Sequence, residues 1–110
     1  MNCVFCERIK NKEYESRFAN HVMFEPLNPV VVGHKLVVPV VHTANLNDPS
    51  LEADQTGWAL RFFTNDMEED YNIITSKGSN ATQTIQHLHF HIVPRRENDG
   101  LTLPWTGQKK

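Results

Sequence analysis

Three histidines occupy alternate positions, His87, His89 and His91, in the run HLHFHIV; the chain has 110 residues and six histidines in all. On a strand, residues two apart share one face at a spacing of about 6.8 Å. The three imidazoles therefore fall on one side, and Leu88, Phe90 and Ile92 are free to enter a core on the other. A helix would scatter the same imidazoles around its axis. Histidine is not a strong strand former, so three in alternation point to chemistry rather than packing. Two chemistries compete. Three imidazoles can hold a catalytic metal, or one can attack a phosphorus or acyl centre while its neighbours orient and protonate.

A second constellation is the pair Cys3 and Cys6, spaced Cys-x-x-Cys, the only cysteines in the chain. In a reducing compartment that spacing suggests metal binding or redox chemistry more than a disulfide. Two thiols are half of a zinc site.

The elements that must position these groups follow from local patterning. A short helical start is followed by HVMFE (21–25) as a strand and PLNP as a break. Gly33 opens HKLVVPV, a second valine-rich strand that Pro39 places near an edge or at its own end. The segment after Pro49, residues 50–71, is the long helix candidate, capped by Ser50, with Glu52 and Asp54 near its positive end. Ala59, Phe63, Met67 and Tyr71 recur every four residues and form its apolar stripe. NIITS (72–76) is a third strand, KGSNAT a polar turn, and TIQHLHFHIVP a fourth, longer strand ended by Pro94. Strands joined by short turns, with a helix against one face, make an α+β domain.

Length fits a single domain over 1–110, with 95–110 as an irregular C-terminal tail. Apolar residues at 39% and charged residues at 22% are ordinary for a globular protein. A formal charge of -2 gives no electrostatic case for binding a nucleic acid duplex. No apolar run approaches the roughly 20 residues of a membrane span, and MNCVFCERIK lacks the pattern of a secretory signal. A cytoplasmic protein is the default expectation.

HLHFHIV resembles the signature of the histidine triad (HIT) family of nucleotide hydrolases and transferases. The similarity extends through NCVFC, FEPLNP, GHKLVVPVVH and ATQT before HLHFHIVPR, and with DGLTLPWT it is closest to a short, Cys-x-x-Cys-bearing microbial branch. The resemblance implies a HIT-like fold: an antiparallel sheet of about five strands, one long helix and a short N-terminal helix. It also implies cleavage at the α-phosphate of a dinucleoside polyphosphate, nucleoside phosphoramidate or adenylated compound, through a covalent nucleotidyl-histidine. The middle histidine, His89, would be the nucleophile, its other nitrogen donating to a backbone carbonyl. His91 would contact phosphate oxygens, and Thr84 would hydrogen-bond or protonate the leaving group.

By the same resemblance, Phe24 and Leu27 wall the base and ribose pocket, with Asn28 at a polar edge. His34 lies beside the triad, and Gln83 and Thr84 form the polar pair before it. The backbone of the KGSNATQT turn is placed to cradle phosphate. Pro26 stands where many relatives carry an aspartate for the ribose hydroxyls, which leaves Glu25, through a local bend, as a substitute. Ser76 stands where several relatives carry an amide near the phosphates, so polyphosphate specificity is expected to differ. Trp105 would cover the site or reach across a homodimer. Zinc-bearing relatives complete the cysteine pair with two histidines, here His42 and His87, giving a structural Cys2His2 site beside the catalytic face. The chemistry itself would need no added cofactor. Two rivals stand beside this expectation: a zinc hydrolase using the three histidines as ligands, and a nucleotide-binding module with little turnover.

Overall fold

A computed structural model describes residues 3–104. In chain order the elements are α1 (Val4–Lys10), β1 (Ser16–Phe18), β2 (His21–Phe24), β3 (Lys35–Pro39), α2 (Ala53–Thr64), β4 (Asp70–Ile74) and β5 (Phe90–Arg95). The strands form one antiparallel sheet in the order β1-β2-β3-β5-β4. This is the α+β, five-stranded architecture expected of a HIT-like fold. No helix is long and apolar enough to cross a membrane.

Strand alternation sends side chains to two cores. Val22, Phe24, Leu36 and Val38 point to the α1 face, where they pack with Phe5. Val37, Leu88, Phe90 and Ile92 point to the opposite face, against Leu60 and Phe63 of α2. His21 also faces α2 and is buried, with Nε2 2.9 Å from Thr56 Oγ1. That hydroxyl lies 3.4 Å from the Glu52 carbonyl and donates to it, so it accepts from the imidazole.

Several boundaries differ from expectation. α2 begins at Ala53 with Glu52 as its N-cap and no side-chain capping bond; Ser50 instead donates to Asp48. The helix ends at Thr64, because the acidic run 68–70 would crowd its negative end. Ala59 and Phe63 lie on it and Met67 packs just beyond, whereas Tyr71 belongs to β4. β4 starts two residues earlier than NIITS suggests, and β1 is a three-residue strand with no strong local signal.

The last strand also differs. Pairing starts only at Phe90, so His87 and His89 lie in the bent segment that leads into it. Pro94 sits within β5 instead of ending it, opposite Tyr71. The proline is tolerated because β3 starts at Lys35, opposite Ile92, and leaves no ladder partner beyond. Gly33 (φ +90) turns the chain there, where a Cβ would lie 3.1 Å from the Pro94 ring.

Candidate active site

Register decides which side the imidazoles take. His91 pairs with Leu36 on one side and Ile74 on the other, so it shares the α1 face with Leu36. His89 follows on that face: its ring centroid lies 5.2 Å from His91 and 5.2 Å from Phe5. His87 meets the same Phe5 ring edge-on at 5.8 Å. The three histidines thus share a side even though only His91 lies in a paired strand.

Each imidazole has a different environment. His89 Nδ1 is 2.8 Å from the carbonyl oxygen of His87, so Nδ1–H donates, and in the neutral ring the lone pair is on Nε2. The His89 carbonyl accepts from the Thr75 hydroxyl at 2.8 Å, which fixes the backbone here. His91 belongs to a relay that starts at the backbone. The Val30 N–H donates to His34 Nδ1 at 3.1 Å. His34 Nε2 must then carry its proton, and it donates to His91 Nδ1 at 2.8 Å. The remaining His91 nitrogen, Nε2, is therefore an N–H donor. Burial, then His89 and His34, hold the His91 pKa down at about 4, so the ring stays neutral near pH 7.

These groups line a cavity of about 670 Å³, within the range of small-molecule sites. His89 and His91 are on its wall, with Leu27, Asn28, Thr84 and Pro26. Other expected binding residues lie elsewhere. Phe24 is buried beneath the wall, against Phe5 and Arg8. His34 is buried behind His91. Ser76 and Glu25 are not on the wall.

Gln83 is a tie within the scaffold. Its oxygen accepts from Gly78 N–H and its nitrogen donates to the Ala44 and Ile85 carbonyls. The turn it braces has the N–H groups of Gly78, Ala81, Thr82 and Gln83 engaged internally, so those four do not form the expected phosphate cradle. Trp105 lies outside the described residues. Residues on the wall that were not anticipated include Val4, Phe5, Arg8, Glu13 and Ile85. The i, i+4 spacing of Val4 and Arg8 on α1 was the available signal.

A second cluster joins the other end of α1 to the histidine segment. Ligand atoms of Cys3, Cys6, His42 and His87 all lie within 4.8 Å of one another. Cys3 caps α1, its sulfur accepting from the Cys6 N–H at 3.4 Å, so helix geometry brings both thiols to one side. His87 Nδ1 is 3.3 Å from Cys3 Sγ and 3.5 Å from Cys6 Sγ, and His42 Nδ1 is 3.3 Å from Cys6 Sγ. A tetrahedral zinc with sulfur at about 2.3 Å and nitrogen at about 2.0 Å spans S···N edges of about 3.5 Å. His87 Nε2–H donates to the Pro39 carbonyl at 2.8 Å, leaving Nδ1 free as a ligand. Burial and the neighbouring Cys3 push the Cys6 thiol up to about 11. The residues present fit a zinc ion.

Fold and site together define a histidine triad protein. The HIT domain pattern matches residues 17–98, and the chain belongs to that family. It is 32% identical to the adenosine 5'-monophosphoramidase of Saccharomyces cerevisiae, over 97% of this chain and 72% of that one. Among solved structures, a hypothetical protein from Leishmania major superposes with a TM-score of 0.84 at 32% identity, covering 99% of this chain and 84% of that one. A Zn-bound histidine triad family protein from Mycobacterium smegmatis gives a TM-score of 0.75 at 31% identity, covering 94% and 81%.

Proposed function

We propose that this protein is a nucleotide hydrolase that cleaves at the α-phosphate, with nucleoside phosphoramidates as the favoured substrates, through a covalent nucleotidyl-His89. The observation that carries the proposal is the His89 tautomer: Nδ1–H is held by the His87 carbonyl, which leaves Nε2 unprotonated on a cavity wall. The monophosphoramidase name of the yeast relative supports the substrate class.

In the first half-reaction Nε2 forms a bond to phosphorus as the bond to the leaving nitrogen breaks. The amine departs with that electron pair and takes a proton, for which the Thr84 hydroxyl on the cavity wall is the candidate donor. His91 Nε2–H donates to a phosphate oxygen as charge builds. In the second half-reaction a water oxygen bonds to phosphorus as its proton returns to the Thr84 oxygen, the P–Nε2 bond breaks with its electron pair going back to the imidazole, and nucleoside monophosphate is released. The positive charge on the phosphorylated imidazole is stabilised by the His87 carbonyl.

Zinc on Cys3, Cys6, His42 and His87 would supply a cross-link between α1 and the segment leading to His89. With His87 so used, its contribution to catalysis is to set the His89 backbone. A catalytic site using all three histidines as ligands is disfavoured, because His91 Nδ1 accepts from His34 and His89 Nδ1–H faces a carbonyl.

A homodimer is the favoured assembly. Tyr71 and Ile73 lie on the α2 side of the edge strand β4, yet are 40% and 39% exposed, and a second copy would cover them.

The deciding experiment is rapid quenching with a substrate labelled at the α-phosphate. An acid-labile adduct is expected in the native protein and absent in His89→Asn. Turnover with no adduct would remove the covalent route, and an adduct surviving in the variant would move the nucleophile elsewhere.

A further inference from the structure

The cavity holds two charged side chains that the hydrolysis does not use. Arg8 and Glu13 both lie on its wall. Both are placed by the end of α1. The chain closes that helix with Lys12 in the left-handed region (φ 56), the Lys12 N–H on the Ile9 carbonyl and the Glu13 N–H on the Arg8 carbonyl at 2.8 Å. This double closure folds Glu13 back beside Arg8. The Arg8 guanidinium carbon lies over the Phe24 ring, 4.0 Å from its centroid, with Nη1–H donated to the Glu25 carbonyl at 3.0 Å. A guanidinium has five N–H donors, so further donors remain for a ligand. Among the described residues, neither Arg8 nor Glu13 is in an ion pair.

Their distance from the chemistry follows from a chain of ring contacts. His89 touches Phe5 at 5.2 Å, Phe5 touches Phe24 at 5.5 Å, and Arg8 covers Phe24. Arg8 is thus two aromatic rings away from the imidazole that would hold the phosphorus. Between the two ends the wall is apolar, formed by Val4, Phe5 and Leu27 among others. A carboxylate would repel a phosphate, so Glu13 calls for N–H or O–H donors on the ligand. Arg8 calls for acceptors. A nucleotide with its phosphorus at His89 puts its base at this end.

We propose that Arg8 and Glu13 read the edge of the nucleobase and select guanine over adenine. Guanine presents O6 and N7 as acceptors, which suit a guanidinium fork, and N1–H with its 2-amino group as paired donors, which suit a carboxylate. Adenine has no O6 acceptor and no N1–H, so it offers Glu13 no pair of donors and Arg8 one acceptor fewer. This assignment rests on the nucleotide reading of the cavity.

The test compares guanosine, inosine and adenosine 5'-phosphoramidates by kcat/KM, and the three nucleoside monophosphates by calorimetric binding. The expected order is guanosine, inosine, adenosine, with the ends separated by about tenfold or more. Glu13→Gln should bring the guanosine-to-adenosine ratio close to one, and Arg8→Met should lower it as well. Equal turnover of guanosine and adenosine by the native protein would overturn base selection while leaving the hydrolase intact. An equal loss on both bases in Glu13→Gln would also overturn it, placing Glu13 on the ribose. If no monophosphate binds and no phosphoramidate turns over, the nucleotide reading falls and the base assignment falls with it.

Discussion

Replacing His34 by leucine isolates the relay that orients His91. His34 is 4% exposed, accepts from the Val30 N–H at 3.1 Å and donates to His91 Nδ1 at 2.8 Å. Leucine approximates its volume but offers neither function. Two polar groups then lose their partners, at about 1–3 kcal/mol each when buried. Val30 itself is exposed, so water recovers part of its share, and the net loss of unfolding free energy should be about 2 kcal/mol. The consequence for His91 is specific. Without a donor at Nδ1, nothing forces its proton onto Nε2, and the donor facing the cavity is no longer guaranteed. Losing a hydrogen bond to a charged phosphate, worth about 1.5–3 kcal/mol, costs about tenfold to a hundredfold in rate. Nitrogen-15 NMR of the imidazoles reports the tautomer directly, urea unfolding the stability, and phosphoramidate hydrolysis the rate. His34→Gln should restore much of all three, because one amide oxygen can accept from Val30 and the amide nitrogen can donate to His91. A native His91 with its proton on Nδ1, or a leucine variant with an unchanged tautomer and rate, would refute the relay.

Acid should weaken the fold through its buried imidazoles. His91 takes a proton only at about 4 when folded, against 6.5 when unfolded, so the unfolded chain binds more protons in between. Stability should be highest above pH 6.5 and fall by about 3 kcal/mol toward pH 4 from this residue. Burial lowers His21 and His34 in the same direction, partly offset by Glu52 and Glu25 respectively; urea midpoints independent of pH across that window would contradict this. Thr56→Val removes the acceptor of His21 Nε2–H and should cost about 1–3 kcal/mol, with Thr56→Ser close to native. Cys6→Ser should reduce bound zinc, measured by elemental analysis, from one per chain toward none, and equal zinc in both proteins would exclude the Cys2His2 site. Ile73→Lys on the edge strand should shift a sedimenting dimer to monomer without lowering the unfolding midpoint of the monomer.

Local sequence carried much of the site. Alternation in HLHFHIV was enough to anticipate His87, His89 and His91 on one side and Leu88, Phe90 and Ile92 on the other, and that arrangement persists through the bend that leads into β5. Cys-x-x-Cys was enough to bring two thiols together, because the cap and the third helical residue lie on one side of a helix start. The strand and helix positions were legible where apolar periodicity was strong. They were not legible at β1, three residues long, or at the end of α2, where the acidic run ends a stripe whose spacing continues into a strand.

What only tertiary structure decided is which partners complete these local patterns. The His34–His91 contact joins residues 57 apart in sequence, and its direction is set by one backbone N–H at Val30. Gln83 is adjacent in sequence to a cavity residue, yet its amide is consumed by the Gly78 turn and the Ala44 loop. Arg8 reaches the cavity wall only through the turn at Lys12 and the Phe24 ring. Hydrogen bonds and ring contacts across the fold carry no periodicity along the chain. For that reason the sequence by itself determined the face the histidines share, and packing determined what each imidazole on that face can do.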